Sequence, residues 1–315
     1  SASAVLSLAL APKSLACEAI SPGCNVKWFE IKWDEKGLVF PLFSGGKLNF
    51  KDYEGQSWYG GAVNQGSFEI TNFNKDENHN AIDNRGTNPR FYGRLHGVFG
   101  ASAEESGSMK FTGSGDTRLY GKYDFLGTTH IHKGRLIIEN IKSIPSGNIK
   151  IDSEGTLKLK ANEIDIYTSV TSNNGRINFT GKNVEISSDI VSKQGSNSGV
   201  LTLFVEDSLV DTIKPQITGD ISGSGGISKT GGGSLVLSGS NTFTGATKIL
   251  KGELSVEGEG SLAGTPKINI ENGATLKVKD QGKLNDKASV IVAAGAEYYA
   301  DSDDTIGSIS GEGRI

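Results

Sequence analysis

From about residue 134 onward, apolar and polar positions alternate in short runs, each opening on a glycine. Gly155 leads to Leu157 and Leu159, Gly175 to Ile177 and Phe179, and Gly199 to Leu201 and Leu203. The pattern returns at Gly233 (Leu235, Leu237), Gly252 (Leu254, Val256) and Gly273 (Leu276, Val278). A period of two places both members of each pair on one face of a strand. The residues between them, Lys158, Asn178, Thr202, Val236, Ser255 and Lys277, are mostly polar, so one face is buried and the other is wet. Successive pairs are 20, 24, 34, 19 and 22 residues apart. Recurrence near 20 residues without an intervening helical stretch predicts a solenoid of strands. Second strands keep phase: Ile164/Ile166 and Val184/Ile186 follow by seven, Ile268/Ile270 and Val290/Val292 by fourteen. The offset changes across Gly219–Gly233, which we read as a change in the shape of the coil.

The reason to coil is burial. One turn of short strands cannot cover its own apolar pairs, whereas stacking turns at about 4.8 Å buries a continuous column and pairs the backbone amides. Glycine and asparagine supply the corners, as in Asn173-Asn174-Gly175 and Glu271-Asn272-Gly273. Residues 134–315 suffice for about eight turns, roughly 40 Å of stack. Leu157, Ile177 and Leu201 are expected to share one axis.

Residues 25–130 hold all three tryptophans (Trp28, Trp33, Trp58) and alternate as strands, as in Lys27–Trp33, but without regular spacing. A solenoid needs its first turn covered, or an open sheet edge invites aggregation. This section is therefore read as an irregular β cap with early turns. Its longest polar loop is Asn74 through Arg90, and Lys75, Asp76, Glu77, His79, Arg85 and Arg90 are its candidate partner contacts.

Composition narrows the class. The 315 residues include 43 glycines, a load that excludes long helices as the main framework. A net charge of −4 gives no basic excess for nucleic acid. Residues 1–16 read as a signal-peptide remnant, with an apolar run Ala4–Ala11 and a small-residue exit at Ser14-Leu15-Ala16. Cys17 and Cys24 are the only cysteines; a short disulfide loop ranks ahead of lipid modification at Cys17.

Residues 233–264 closely resemble the autotransporter-associated β-strand repeat, above all Leu237-Ser238-Gly239-Ser240-Asn241-Thr242-Phe243-Thr244-Gly245. The segment Asp304–Gly311 resembles the same family's turn, and 174–205 is weakly similar to the early passenger region of vacuolating-cytotoxin-like autotransporters. The resemblance implies an exported passenger folded as a right-handed parallel β-helix. It also implies a C-terminal outer-membrane β-barrel that this chain does not include, so the chain is expected to be an N-terminal portion of a longer protein. The expected division is 1–16 signal remnant, 17–130 cap and irregular turns, 131–225 β-helix turns and 226–315 repeat turns.

Gly219-Asp220-Ile221-Ser222-Gly223-Ser224-Gly225 resembles a serine-protease nucleophile motif, broken by Ile221. Gly223 through Ser228-Lys229-Thr230 mimics a phosphate loop, but glycines and a strand follow where a helix is needed. His130 and His132 are expected to share a strand face as a solvated pair, and Glu163 and Asp165 to point outward together as a solvated face. No catalytic, cofactor or metal site is expected. The expected function is a non-enzymatic adhesion or host-interaction rod at the bacterial surface or released from it. Its partner would be a protein or glycan of a host or neighbouring cell. The alternatives are a vacuolating-type toxin and a polysaccharide-active β-helix enzyme.

Overall fold

In the computed structural model, residues 25–108 are described only as backbone strands. Residues 109–315 are described with side chains, except 120–126, 141–143, 146, 194–198, 208–213 and 302; the pair 123–124 is described as backbone. The described residues form strands and turns without a helix. They divide into two compact units, residues 1–150 and 151–315.

The first unit is built from three parallel ladders. One runs Asn25–Val26, Gly46–Asn49, Asn80–Asp83, Met109–Thr112 and Thr129–Ile138. A second runs Ser57–Trp58, Arg90–Phe91, Asp116–Leu119 and the end of Thr129–Ile138. The third runs Gly37–Leu42, Ser67–Ile70, Arg94–His96 and Tyr123–Asp124. Along the first ladder, Lys47, Ala81, Lys110 and His130 are register partners, 34, 29 and 20 residues apart. The section read as irregular is therefore stacked too. Long polar inserts hide the spacing in sequence without breaking the pairing, because closing a longer loop costs only logarithmically more entropy. Lys32–Asp34 lies antiparallel on Gly37–Leu42 at the border of the third ladder, where a reversed strand covers an edge. Met109, Phe111, Leu119, Ile131, Leu136 and Ile138 are buried in this unit.

The second unit is a solenoid with three faces per turn. The first face stacks residues 156–159, Arg176–Phe179, Val200–Val205, Gly226–Thr230, Thr247–Ile249, Lys267–Ile270, Ser289–Val292 and Ser308–Gly311 in parallel. The second face runs Asp165–Ile166, Glu185–Ile186, Gln216–Ile217, Ser234–Leu237, Gly252–Val256, Ala274–Val278 and Glu297–Ala300. On the third, Val170–Asn173, Ile190–Lys193 and Ile221–Ser222 stack, and Ser240–Asn241, Ser261–Leu262 and Lys283–Leu284 form a separate ladder.

The register corrects one expectation. Leu157 pairs with Ile177, and Ile177 with Leu203 rather than Leu201. Leu201 begins the neighbouring inward column, opposite Ile227. The cause is length: the turn carrying 194–198 is longer, so the strand enters two residues later. Because the slip is even, the buried face is preserved. The 34-residue interval has a different origin. Leu201 belongs to the first face, whereas Leu235, Leu254 and Leu276 form a column of the second. Second-face strands lengthen from two residues through Gln216–Ile217 to four or five from Ser234–Leu237 onward. That lengthening is the change of coil shape.

Candidate functional site

The turn around 226–256 holds several buried polar side chains. Ile227 points inward on the first face, and by alternation so does Lys229. Lys229 occupies the column of Leu157, Ile177, Leu203, Ile249, Ile270 and Val292, and its side chain is 0% exposed. A lysine there must find partners for its ammonium. Nζ donates to the carbonyls of Thr230 (3.2 Å), Gly231 (2.8 Å) and Lys251 (3.0 Å). All three belong to the corner between the first and second faces. Gly231 and Gly252 turn that corner at φ of 74° and 70°, a region L side chains avoid. Asp207, from the turn below, accepts from the Gly232 amide and from Lys251 Nζ at 2.7 Å. Burial pushes the Lys229 amine down to about 8, partly offset by the Asp207 and Glu253 carboxylates.

The far side of the turn is sealed similarly. Asn241 is buried; its Oδ1 accepts from the Ile221 amide at 2.8 Å and its Nδ2 donates to the Gly239 carbonyl at 2.9 Å. Phe243 is fully buried and fills the return corner. Thr265 Oγ1 donates to the Gly245 carbonyl at 2.6 Å, with Thr247 Oγ1 3.3 Å away. Gly226 and Gly245 let adjacent turns close: a Cβ on Gly245 would overlap the Gly226 backbone, and one on Gly226 the Ala246 carbonyl. Lys229, Asn241 and Thr265 each bond backbone of their own or a neighbouring turn. The arrangement is that of a structural repeat.

Residues 227–256 match the family model of the passenger-associated-transport-repeat. The repeat and the parallel stack together fit an autotransporter passenger domain. No curated protein and no solved structure matches the chain. The likeness to vacuolating-cytotoxin-like autotransporters has no support in these comparisons. The repeat family points to export to the cell surface or secretion.

Other sequence candidates in the chain take structural places. Glu163 and Asp165 do not share a strand face, because Glu163 is in the left-handed region at φ 58° and the strand is only Asp165–Ile166. Asp165 Oδ1 accepts from the Ser187 amide (3.2 Å) and hydroxyl (2.7 Å), fastening one turn to the next. In Gly219–Gly225, a Cβ on Gly219, Gly223 or Gly225 would overlap Ser188 or Ser192, so the glycines serve close turn packing. His130 and His132 stand 5.7 Å apart, ring centre to ring centre, but only His132 is exposed; His130 is 3% exposed, which corrects the reading of a solvated pair. The stretch 74–90 is not one loop, since Asn80–Asp83 and Arg90–Phe91 are paired strands. Arg90 thus lies on a strand, its short run masked in sequence by polar neighbours. Lys75, Asp76, Glu77, His79, Arg85, Cys17 and Cys24 lie outside the described residues. What sequence reasoning missed is Lys229, legible only if Ile227 and Lys229 are aligned with Leu201 and Leu203.

On the second face, Glu253 is held by Lys214 Nζ (2.8 Å) and Lys277 Nζ (2.5 Å). Burial pushes the Glu253 carboxyl up, and the two lysine hydrogen bonds outweigh it, leaving the group below its usual range. A carboxylate depressed by folding adds stability above its unfolded value, and that stability is lost as pH falls through the folded value. Glu253→Gln is accordingly expected to lower stability at pH 7 by about 1 kcal/mol, with the gap to wild type closing below about pH 4. Urea titrations at the two pH values read this directly, and a gap independent of pH contradicts it.

Proposed function

We propose that this passenger is a non-enzymatic attachment module, presenting its outward side chains to a protein or glycan on a host or neighbouring cell. The observation that carries this reading is the repeat turn at 226–256, whose buried Lys229 and Asn241 serve the backbone, as does Thr265 of the next turn. With interior and corners occupied in this way, the outward positions of each strand are free to vary without loss of the stack.

The test is binding of the purified, fluorescently labelled chain to a panel of host and bacterial cells, with heat-denatured chain as the control. Saturable binding that the unlabelled chain competes away is expected. Binding no greater than that of denatured chain overturns the reading, as does leakage of lipid vesicles by the folded chain, which is the behaviour of a toxin. For the segment 74–90, replacing Lys75, Asp76, Glu77, His79 and Arg85 is the appropriate variant, because deletion also removes paired strands.

A further inference from the structure

The faces of the second unit differ in charge. The second face carries Asp165, Glu185, Glu253 and Glu297 on its strands. Around it, Lys214 and Lys277 are engaged by Glu253, and Lys279 by Glu257. On the first face, the paired segment 156–159 and the seven strands stacked on it contain no Asp or Glu; Asp152 and Glu154 stand earlier on the strand Ile149–Leu159. Outward on that face stand Lys158, Arg176, Lys248 and Lys267; the last three are exposed and Lys158 is half-buried. None of the four has an ion-pair partner among the described residues. In a chain of net charge −4, such a face is not a by-product of composition.

The register arranges these cations along one track. Lys158 is opposite Asn178, and Arg176 lies two residues before Asn178 on that turn. Lys248 is opposite Asn269, and Lys267 lies two residues before Asn269. The same diagonal pair therefore occurs twice, four turns or roughly 19 Å apart at the parallel-strand spacing. Between the pairs, Arg176, Thr202, Ser228 and Lys248 are successive partners in a single outward column. Thr202 is half-buried and Ser228 buried, so the hydroxyls lie low between the two raised pairs.

We propose that this track, from Lys158 through Arg176, Thr202, Ser228 and Lys248 to Lys267, binds an acidic polysaccharide lying along the stack. The proposal rests on the attachment reading and names its ligand. A small anion spans one cation pair; a polyanion spans both, and the second contact is then intramolecular. Low-lying hydroxyls between cations suit sugar hydroxyls. Single-stranded nucleic acid instead asks for several stacking aromatics, and the outward columns of this face offer Phe204 alone.

The experiment measures binding of the whole chain to heparin, neutral dextran and duplex DNA of matched length, at 0.05 and about 0.3 M salt. Two double variants with equal charge change are compared: Arg176→Ser with Lys248→Ser on the track, and Lys182→Ser with Lys287→Ser at corners. Expected are salt-sensitive heparin binding, none to dextran, a loss of about tenfold in the track variant and less than about twofold in the corner variant. Equal losses in both variants, absence of heparin binding, or tighter binding to DNA overturns the proposal. Cell binding separates it from the attachment reading. If the track variant still binds cells as wild type does, the track is wrong and attachment stands. If wild type binds heparin through the track but no cell, the track stands and attachment fails.

Discussion

Replacing Phe243 by Ala is expected to lower the unfolding free energy by about 4 kcal/mol, among the larger effects a single buried side chain gives. Phe243 is 0% exposed at the return corner of the repeat turn, its amide bonded to the Ile221 carbonyl at 3.2 Å. Around it the chain is held by fixed elements. Asn241 is bonded to the turn below, and Gly264 is packed so tightly on the Phe243 carbonyl that a Cβ would overlap it. A corner constrained from both sides cannot collapse into the vacated space, and it is failure to collapse that makes a cavity costly. Phe243→Leu, which keeps most of the volume, should cost under half as much. Guanidinium titration of both variants checks the pair. Because a stack of turns couples mainly to nearest neighbours, hydrogen exchange should show the loss concentrated in the turns next to Phe243. A loss under about 1 kcal/mol for the alanine variant would show that the ring does not fill this corner.

The stability gap between wild type and Lys229→Met is expected to move with pH in a direction opposite to that of an ordinary ion pair. The Lys229 amine titrates at about 8 in the fold, below its ordinary 10.5, chiefly because it is buried. Between those values the unfolded chain holds the proton and the folded chain does not, so wild type gains stability as pH rises. The slope is about 1.4 kcal/mol per pH unit, and the total gain on the methionine variant is about 3 kcal/mol by pH 10.5. Below pH 8 the gap is flat. Tyr298, pushed up by burial, titrates alike in both proteins and cancels from the difference. A pH-independent gap between pH 7 and 10.5 would place the Lys229 ammonium in water. Both variants leave the carbonyls of Thr230, Gly231 and Lys251 without this donor; Lys229→Ala adds a cavity and should be the less stable of the two.

Much of this fold was legible before its structure. Gly175–Phe179 and Gly252–Val256 show a glycine corner followed by inward apolar pairs, and those pairs are buried. The motif around Asn241 and Phe243 pointed to the repeat that the family model finds. Two kinds of information were hidden. Turns of unequal length, as at 194–198 and along residues 25–130, erase the period while leaving the pairing intact, so Leu203 rather than Leu201 joins the column of Ile177. The candidate site was hidden for another reason. Lys229 sits in a Ser-Lys-Thr-Gly run that looks solvent-facing, and the carbonyls that satisfy it come from 230, 231 and 251.

The sequence by itself determined that strands form, which of their faces is buried, and that they coil rather than pack as a sandwich. Those outcomes depend on period-two alternation and a recurring corner, both properties of contiguous residues. Tertiary structure alone decided which strand lies over which. Only stacking set Lys158 beside Arg176 and Lys248 beside Lys267. Register between turns is fixed by loop length and by interlocking of inward columns, and these are properties of neighbours in space.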